Sequence, residues 1–265
     1  MTIFQAIILG LVQGLTEFLP VSSSGHLVVA RNIMGVTAEP LLFEIVVHVG
    51  TLLAVFVVFR RDIWKMICHP ISKPVGYLIL ASIPAGLAGV LLDNWIESVF
   101  GGRYLAIGFL ITAVLLTVAE KKQVRRPRKF NQMKPTDALA MGAMQAVALV
   151  PGISRSGSTI VGGLFMGLDR KLAARFSFLM SIPVILGSVV FKFKDLLSLG
   201  TEGASIAPMI VGALVAAISG YVAIRFFLNL ISKKKMYGFA IYVAILAVAV
   251  LICQFAGLWF EPLFG

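Results

Sequence analysis

Charge in this chain is confined to short clusters that separate long apolar runs, and that pattern admits few folds. Six stretches, about 41–59, 75–92, 104–119, 172–191, 208–231 and 237–256, approach the length a membrane helix needs, roughly 20 apolar residues for a hydrocarbon core of about 30 Å. Of the 265 residues 59% are apolar and 13% charged, about half the share of charge usual in a soluble domain. A soluble globule built from such a chain would expose large apolar patches. Disorder is excluded by the same numbers. With two cysteines, Cys68 beside a basic loop and Cys253 in an apolar run, a disulfide scaffold is excluded too, and neither suggests a metal or redox site. The sequence reads as an all-α polytopic membrane protein.

The net charge of +11 would suit a nucleic-acid partner only if the lysines and arginines shared a face or a domain. They lie between the apolar runs instead, so no nucleic acid is expected. Residues 60–74 hold Arg60, Arg61, Lys65 and Lys73; residues 121–135 hold Lys121, Lys122, Arg125, Arg126, Arg128, Lys129 and Lys134; residues 232–236 hold Lys233, Lys234 and Lys235. The alternate loops carry Asp93, Glu97, Asp195 and Glu202 with fewer bases, Arg103, Lys192 and Lys194. If the six runs cross and the remaining apolar regions do not, the three basic loops fall on one side, which the positive-inside rule makes cytoplasmic. Both termini then lie outside. The first thirty residues contain no Lys or Arg, unlike a cleaved signal peptide, so they are read as part of the fold.

Two further apolar regions, 3–35 and 136–168, are each interrupted near the middle by Pro, Gly and Ser, and their halves are too short to cross alone. Sliding the sequence by 132 residues lays one on the other: Gly10, Gln13, Ser22, Ser24 and Gly25 meet Gly142, Gln145, Ser154, Ser156 and Gly157, and Met34-Gly35 meets Met166-Gly167. Three crossings separate the copies, an odd number, so one domain made of two inverted repeats is expected, about 1–132 and 133–265, with two broken re-entrant helix pairs. Inverted repeats with discontinuous helices commonly hold their site where the half-helices meet.

The first interruption runs Gln13, Glu17, then Pro20-Val21-Ser22-Ser23-Ser24-Gly25-His26. Proline stops one helix and the serines suit the start of the next. Irregular backbone at membrane depth is tolerated only within protein or against a wet cavity, and a helix start there offers N–H groups and a positive dipole end to phosphate. Ser23 and His26, spaced i,i+3, share a face of the second half-helix; Gln13 and Glu17, spaced i,i+4, share one on the first. The second interruption, Pro151-Gly152-Ile153-Ser154-Arg155-Ser156-Gly157-Ser158-Thr159, places Arg155 where the first has Ser23. A guanidinium deep in an apolar region costs about 2.5 kcal/mol or more on insertion scales, so it should have a partner, and its planar fork matches phosphate. Against this stand plainer readings: serines that permit close helix packing, a structural Glu17–Arg155 ion pair, and a core histidine at position 26. Glu44 and His48 form another i,i+4 pair, read as structural or supporting. His69 reads as solvated, the methionines as packing, and Arg125-Arg126-Pro127-Arg128-Lys129 as a topology signal that touches anionic lipid.

The two interruptions together resemble the two signatures of the bacterial undecaprenyl-diphosphate phosphatase (bacitracin-resistance) family, in the same order and over essentially the whole chain. The first signature accepts Glu or Gln at position 13, and Gln13 leaves Glu17 as its only acidic member. The resemblance implies an integral membrane phosphatase of the bacterial plasma membrane. It would cleave a C55 polyprenyl diphosphate to the monophosphate and phosphate, recycling the lipid carrier for peptidoglycan, with its site open to the outer face. It also implies a divalent cation, Mg²⁺ or Ca²⁺, for which Glu17 is the expected ligand. The residues carried over are Gln13, Glu17, Ser22, Ser23, Ser24 and His26, then Ser154, Arg155, Ser156 and Thr159. As a mechanism, Arg155 and the two helix starts neutralise phosphate, Ser23 is the nucleophile and His26 its base, with attack by His26 or by water left open. Ser22, Ser24, Ser154, Ser156, Thr159 and Gln13 are assigned to substrate binding. Membrane lipids surround the protein, and a homo-oligomer is compatible with everything above. The rival reading is a flippase or secondary transporter that binds an anionic substrate without breaking it.

Overall fold

Within a bilayer the backbone must satisfy its own hydrogen bonds, which leaves an apolar chain the helix as its local solution. The computed structural model describes residues 1–36, 40–92, 95, 102–122, 126–198, 206–258 and 260. Among them no strand occurs; one isolated bridge joins Arg128 to Leu168 and a 3-10 turn covers Phe130–Gln132. The helices are α1 Ile3–Phe18, α2 Ser23–Ile33, α3 Pro40–Val58, α4 Arg60–Cys68, α5 Lys73–Leu91, α6 Leu105–Lys121, α7 Pro135–Val147, α8 Arg155–Phe165, α9 Arg170–Ser198, α10 Ile206–Ile231 and α11 Tyr237–Phe255.

All six expected runs form helices, with differences in detail. Four helices are long and apolar enough to cross: α5, α9 over Arg170–Val190, α10 and α11. The run 41–59 does not end in a loop: α3 bends by 81° into α4, and the pair counts as a fifth. Helix α6 has 17 residues, about 26 Å at ~1.5 Å per residue, a little short of the core thickness. Outward residues such as Ile79, Leu87, Leu214, Ile218, Ile245 and Val248 are exposed apolar side chains on these helices, the surface lipid would cover. Of the charges expected in the alternate loops, Asp93, Glu97 and Glu202, together with the side chains of Asp195, Lys192 and Lys194, lie outside the described residues.

The interrupted regions form two helical hairpins, α1/α2 and α7/α8. Gln5 Nε2 donates to Met34 O at 3.4 Å, tying the start of α1 to the end of α2. Helix α1 runs alongside α10 in the same direction: a Cβ on Gly10 would lie 3.2 Å from Gly212 Cα, and one on Gly14 would lie 2.5 Å from Ala216 O. Helix α7 runs alongside α5: Tyr77 Oη donates to Met133 O at 3.1 Å, and a Cβ on Gly142 would lie 3.0 Å from Ala81 Cα. Since α5 starts and α10 ends at basic loops, the two hairpins enter the bundle from opposite ends. Helix bounds also recur: α2 and α8 span Ser23–Ile33 and Arg155–Phe165, and α6 and α11 begin at Leu105 and Tyr237, each 132 residues apart.

All three basic loops gather at one end, held by ion pairs. Arg170 donates to both oxygens of Glu120 (2.9 and 2.7 Å), to Ile231 O and to Lys234 O, while Glu120 accepts the Met236 N–H. Arg128 donates to both oxygens of the buried Asp137 at 2.8 Å. Arg175 reaches Asp62 across α9 and α4 at 2.7 Å. Between this end and the helix breaks lies an aromatic cluster of Phe18, Phe59, Phe178 and Phe227, with Phe18 edge-on to Phe178 at 5.3 Å.

The glycine contacts make a test. Gly14→Val forces a side chain onto the α10 backbone, an overpacking cost of about 1–3 kcal/mol, and lowers the melting temperature of the detergent-purified protein. Gly86 faces open space, and Gly86→Ala is expected to keep the melting temperature or raise it, for a gain in stability of up to about 1 kcal/mol. A melting temperature unchanged by Gly14→Val would remove the close α1–α10 contact.

Candidate active site

Both helix breaks are made by local chemistry. After Phe18 the chain turns extended at Leu19 (φ −79°, ψ 145°) because Pro20 disfavours helix in the residue before it. Ser22 then adopts φ +70°, alone among described non-glycine residues in having positive φ, the kind of backbone strain that clusters at functional sites. Its Oγ accepts the Gly25 N–H at 3.3 Å and starts α2. In the second break Gly152 takes φ +88°, and Ser154 Oγ accepts the Gly157 N–H at 3.0 Å to start α8. Thr112 of α6 clamps this turn: its hydroxyl accepts the Ser154 N–H at 2.9 Å and lies 3.2 Å from Gly152 O. The N–H groups of Ser23, Ser24, Arg155 and Ser156 have no acceptor among the described residues.

The breaks meet. Ser156 Oγ donates to Leu19 O at 2.9 Å, and the Arg155 guanidinium pairs with Glu17 Oε1. The two side chains are 16% and 5% exposed, so each needs the other's charge. Glu17 Oε2 accepts the Ser23 hydroxyl at 2.5 Å and Gln13 Nε2 at 3.1 Å. His48 Nε2 stands 3.7 Å from the same oxygen, its Nδ1 bonded to Glu44 O at 2.6 Å, and Glu44 in turn pairs with Arg31 at 2.5 Å. The Glu44 and His48 pair thus stands as a support beside Glu17.

His26 is placed differently from the sequence expectation. Its Nδ1 bonds Ser22 O at 2.7 Å, which requires a proton on that nitrogen, and its Nε2 lies 2.8 Å from Tyr242 Oη. The ring stacks on Tyr242 with centroids 5.6 Å apart. Ser23 and His26 do share a helix face, yet the capping carbonyl holds the imidazole, and the partner of the Ser23 hydroxyl is Glu17. The hydroxyls assigned to substrate are also largely engaged. Ser22 and Ser154 cap their helices, Ser22 and Ser24 lie 3.4 Å apart, and Ser156 clamps Leu19. Thr159 is fully buried against α9 with its Oγ1 2.6 Å from Ser177 Oγ. Only Ser23, Ser24 and His26 among the first set are partly exposed. Sequence reasoning missed Tyr242, Thr112 and Ser177; each is a polar residue in an apolar run with no spacing to mark it.

Several buried polar atoms lack a partner, and one of them lies at this site. Gln13 Oε1, beside Glu17, has no hydrogen-bond partner. With the Glu17 carboxylate and the Ser23 hydroxyl it makes a small set of hard oxygen donors. Among the described residues no group of three or more His, Cys, Asp or Glu side chains could enclose a metal. A Mg²⁺ ion, which keeps waters and is held by one or two carboxylates plus substrate phosphates, would need no more protein ligands than these oxygens offer.

Glu17→Ala or Arg155→Ala alone leaves a buried charge unpaired, a loss of about 3–5 kcal/mol seen as a lower melting temperature. In the double variant Glu17→Gln/Arg155→Met neither charge remains, and it is expected to melt above both single variants. Additive losses in the double variant would mean that the two groups do not pair.

Comparison with known proteins agrees in extent as well as in kind. The family model described as bacitracin resistance protein BacA matches residues 6–249. A protein of Carboxydothermus hydrogenoformans named undecaprenyl-diphosphatase is 43% identical over 260 residues, covering 97% of this chain and 99% of that one. A Methanobrevibacter smithii protein of the same name is 41% identical, covering 94% and 97%. One of Bacillus thuringiensis, undecaprenyl-diphosphatase 4, is 39% identical, covering 95% and 97%. With both helix breaks inside the matched region, this chain belongs to the bacitracin resistance protein BacA family.

Proposed function

We propose that this protein is a multi-pass membrane hydrolase that removes the terminal phosphate of undecaprenyl diphosphate, leaving undecaprenyl phosphate and inorganic phosphate. The observation that carries the reading is the meeting of Glu17, Ser23 and Arg155 across two helix breaks; the names of the relatives supply the substrate. Phosphoryl transfer depends mainly on positioning and on neutralising phosphate charge. Arg155 has one Nη on Glu17 and the other only 3.4 Å from Ser177 O, so part of its fork is free for phosphate oxygens, as are the unbonded N–H groups at the two helix starts. Ser23 Oγ attacks the terminal phosphorus while Glu17 takes its proton. The bridging P–O bond breaks, the prenyl monophosphate departs, and water releases phosphate from the serine. Glu17 here takes the base role first assigned to His26. His26, fixed by Ser22 and Tyr242, remains the alternative nucleophile, which a phosphohistidine would reveal. Mg²⁺ held by Glu17 and Gln13 would draw charge from the phosphate oxygens. The prenyl tail stays in lipid while the diphosphate enters.

The recurrence of helix bounds supports a single domain of two inverted copies, about 1–132 and 133–265. The gathering of basic loops at one end supports that end as cytoplasmic, in the bacterial plasma membrane. The entry of the α1/α2 hairpin from the opposite end supports access from the outer face. Removing the phosphate there would return the carrier lipid to peptidoglycan synthesis and counter bacitracin. Hairpins entering from both ends are also a transporter arrangement, which favours lipid or anion transport as the second reading.

Purified protein is expected to release phosphate from undecaprenyl diphosphate, and to stop when a chelator is added. Arg155→Ala is expected to lose about a hundredfold or more, as when a transition-state donor is removed, and acid quench of turnover to trap phosphoserine that Ser23→Ala lacks. Near-normal release by Arg155→Ala overturns the site. Movement of lipid across vesicles without hydrolysis selects the transport reading.

A further inference from the structure

A second concentration of charge lies away from the helix breaks. Arg60, Lys171, Arg175 and Arg225 line a cavity of about 330 Å³ at the end of the bundle that carries the basic loops, with Asn229 and Ser232 in its wall. Among the described residues only Arg175 of the four has a carboxylate partner, Asp62 at 2.7 Å, and its guanidinium also lies over the Phe59 ring. Three exposed cations are left to line one hollow, a positive site whose charge an anion would neutralise.

The level of the cavity identifies that anion. Helix α10 has 26 residues, about 39 Å at ~1.5 Å per residue against a hydrocarbon core of about 30 Å, so its last turns reach the headgroup layer. Arg225 lies there, six residues from the end of α10. Its Nη1 donates to Tyr221 Oη at 2.7 Å, one turn deeper along the helix, which draws one edge of the exposed guanidinium toward the cavity wall. The floor of the same region is α4, which leaves α3 at 81° and exposes Trp64 (66%) and Ile67 (63%) beside Arg61 and Lys65. Tryptophan and a basic face mark a helix lying in the membrane interface. The rings of Phe18, Phe178 and Phe59 pack edge-on in series from the neighbour of Glu17 to the underside of Arg175, so protein fills the space between the two sites.

We infer that this cavity binds the phosphate-bearing headgroup of an anionic membrane lipid on the face of the basic loops. Basic pockets between membrane helices on that face are suited to such headgroups. The site is separate from the helix breaks and does not rest on the reaction proposed for them.

The test is native mass spectrometry and thermal melting of the full chain in neutral detergent, with dioleoyl phosphatidylglycerol, dioleoyl phosphatidylcholine or inorganic phosphate added. Wild type should retain phosphatidylglycerol in preference to phosphatidylcholine and melt higher with it. Lys171→Ala/Arg225→Ala should bind it roughly thirtyfold more weakly, the attraction of two basic residues at a membrane surface. Lys121→Ala/Lys233→Ala removes the same charge from the same end outside the cavity and should bind like wild type. Equal loss in both pairs, equal retention of the two lipids, or a shift with inorganic phosphate and none with phosphatidylglycerol each overturns the assignment. If the alanine pair fails to fold, Lys171→Gln/Arg225→Gln carries the same comparison.

Discussion

The structure turns on one ion pair that neither partner could do without. Glu17 ends one half-helix and Arg155 begins another, and both are buried where an isolated charge would cost several kcal/mol. Pairing them fixes where two chain interruptions must sit, because side chains of that length reach each other only if the breaks are adjacent. Ser156 adds a hydrogen bond from one break to the backbone of the other. The contact that holds the hairpins together also gathers Ser23, Gln13 and two helix starts around one carboxylate.

The two hairpins are alike in backbone and different in side chains. Positions 132 apart hold Ser23 and Arg155, Glu17 and Leu149, His26 and Ser158, Tyr242 and Leu110. Gln13 donates to Glu17, whereas its counterpart Gln145 is fully buried with both amide atoms unpartnered. Glu17 and Ser23 thus come from one hairpin and Arg155 from the other, so neither alone brings the three together. Each hairpin packs on a helix of the opposite half, α1 on α10 and α7 on α5, through glycines that let backbones touch. Interleaving of that kind makes the halves mutually dependent for stability as well as for chemistry.

A different set of interactions governs the basic end. Arg170, Glu120, Arg128 and Asp137 are spent on tying loops and helix ends together, while Arg60, Lys171 and Arg225 have no carboxylate partner among the described residues. Charge that a topology rule would count only by its sign therefore divides into structural pairs and an unneutralised cluster. The division is invisible in the sequence, since lysine and arginine in a loop look the same whether they meet Glu120 or an open cavity.

The spans, the helix breaks and the gathering of basic loops were legible because each follows from local rules: apolar length, proline and serine at helix ends, and charge clustered between runs. The residues Gln13, Glu17, Ser23 and Arg155 were legible for the same reason, as polar groups in an apolar medium with motif spacing. What the chain alone left open was which group faces which. Helical spacing put His26 beside Ser23, but a backbone carbonyl and a tyrosine 216 residues away hold the imidazole. Thr112, Ser177 and Tyr242 were hidden because their partners lie on other helices. Periodicity determines the face on which a side chain stands; only packing decides what stands opposite it, since a hydrogen bond needs two atoms within about 3 Å and sequence distance places no such limit.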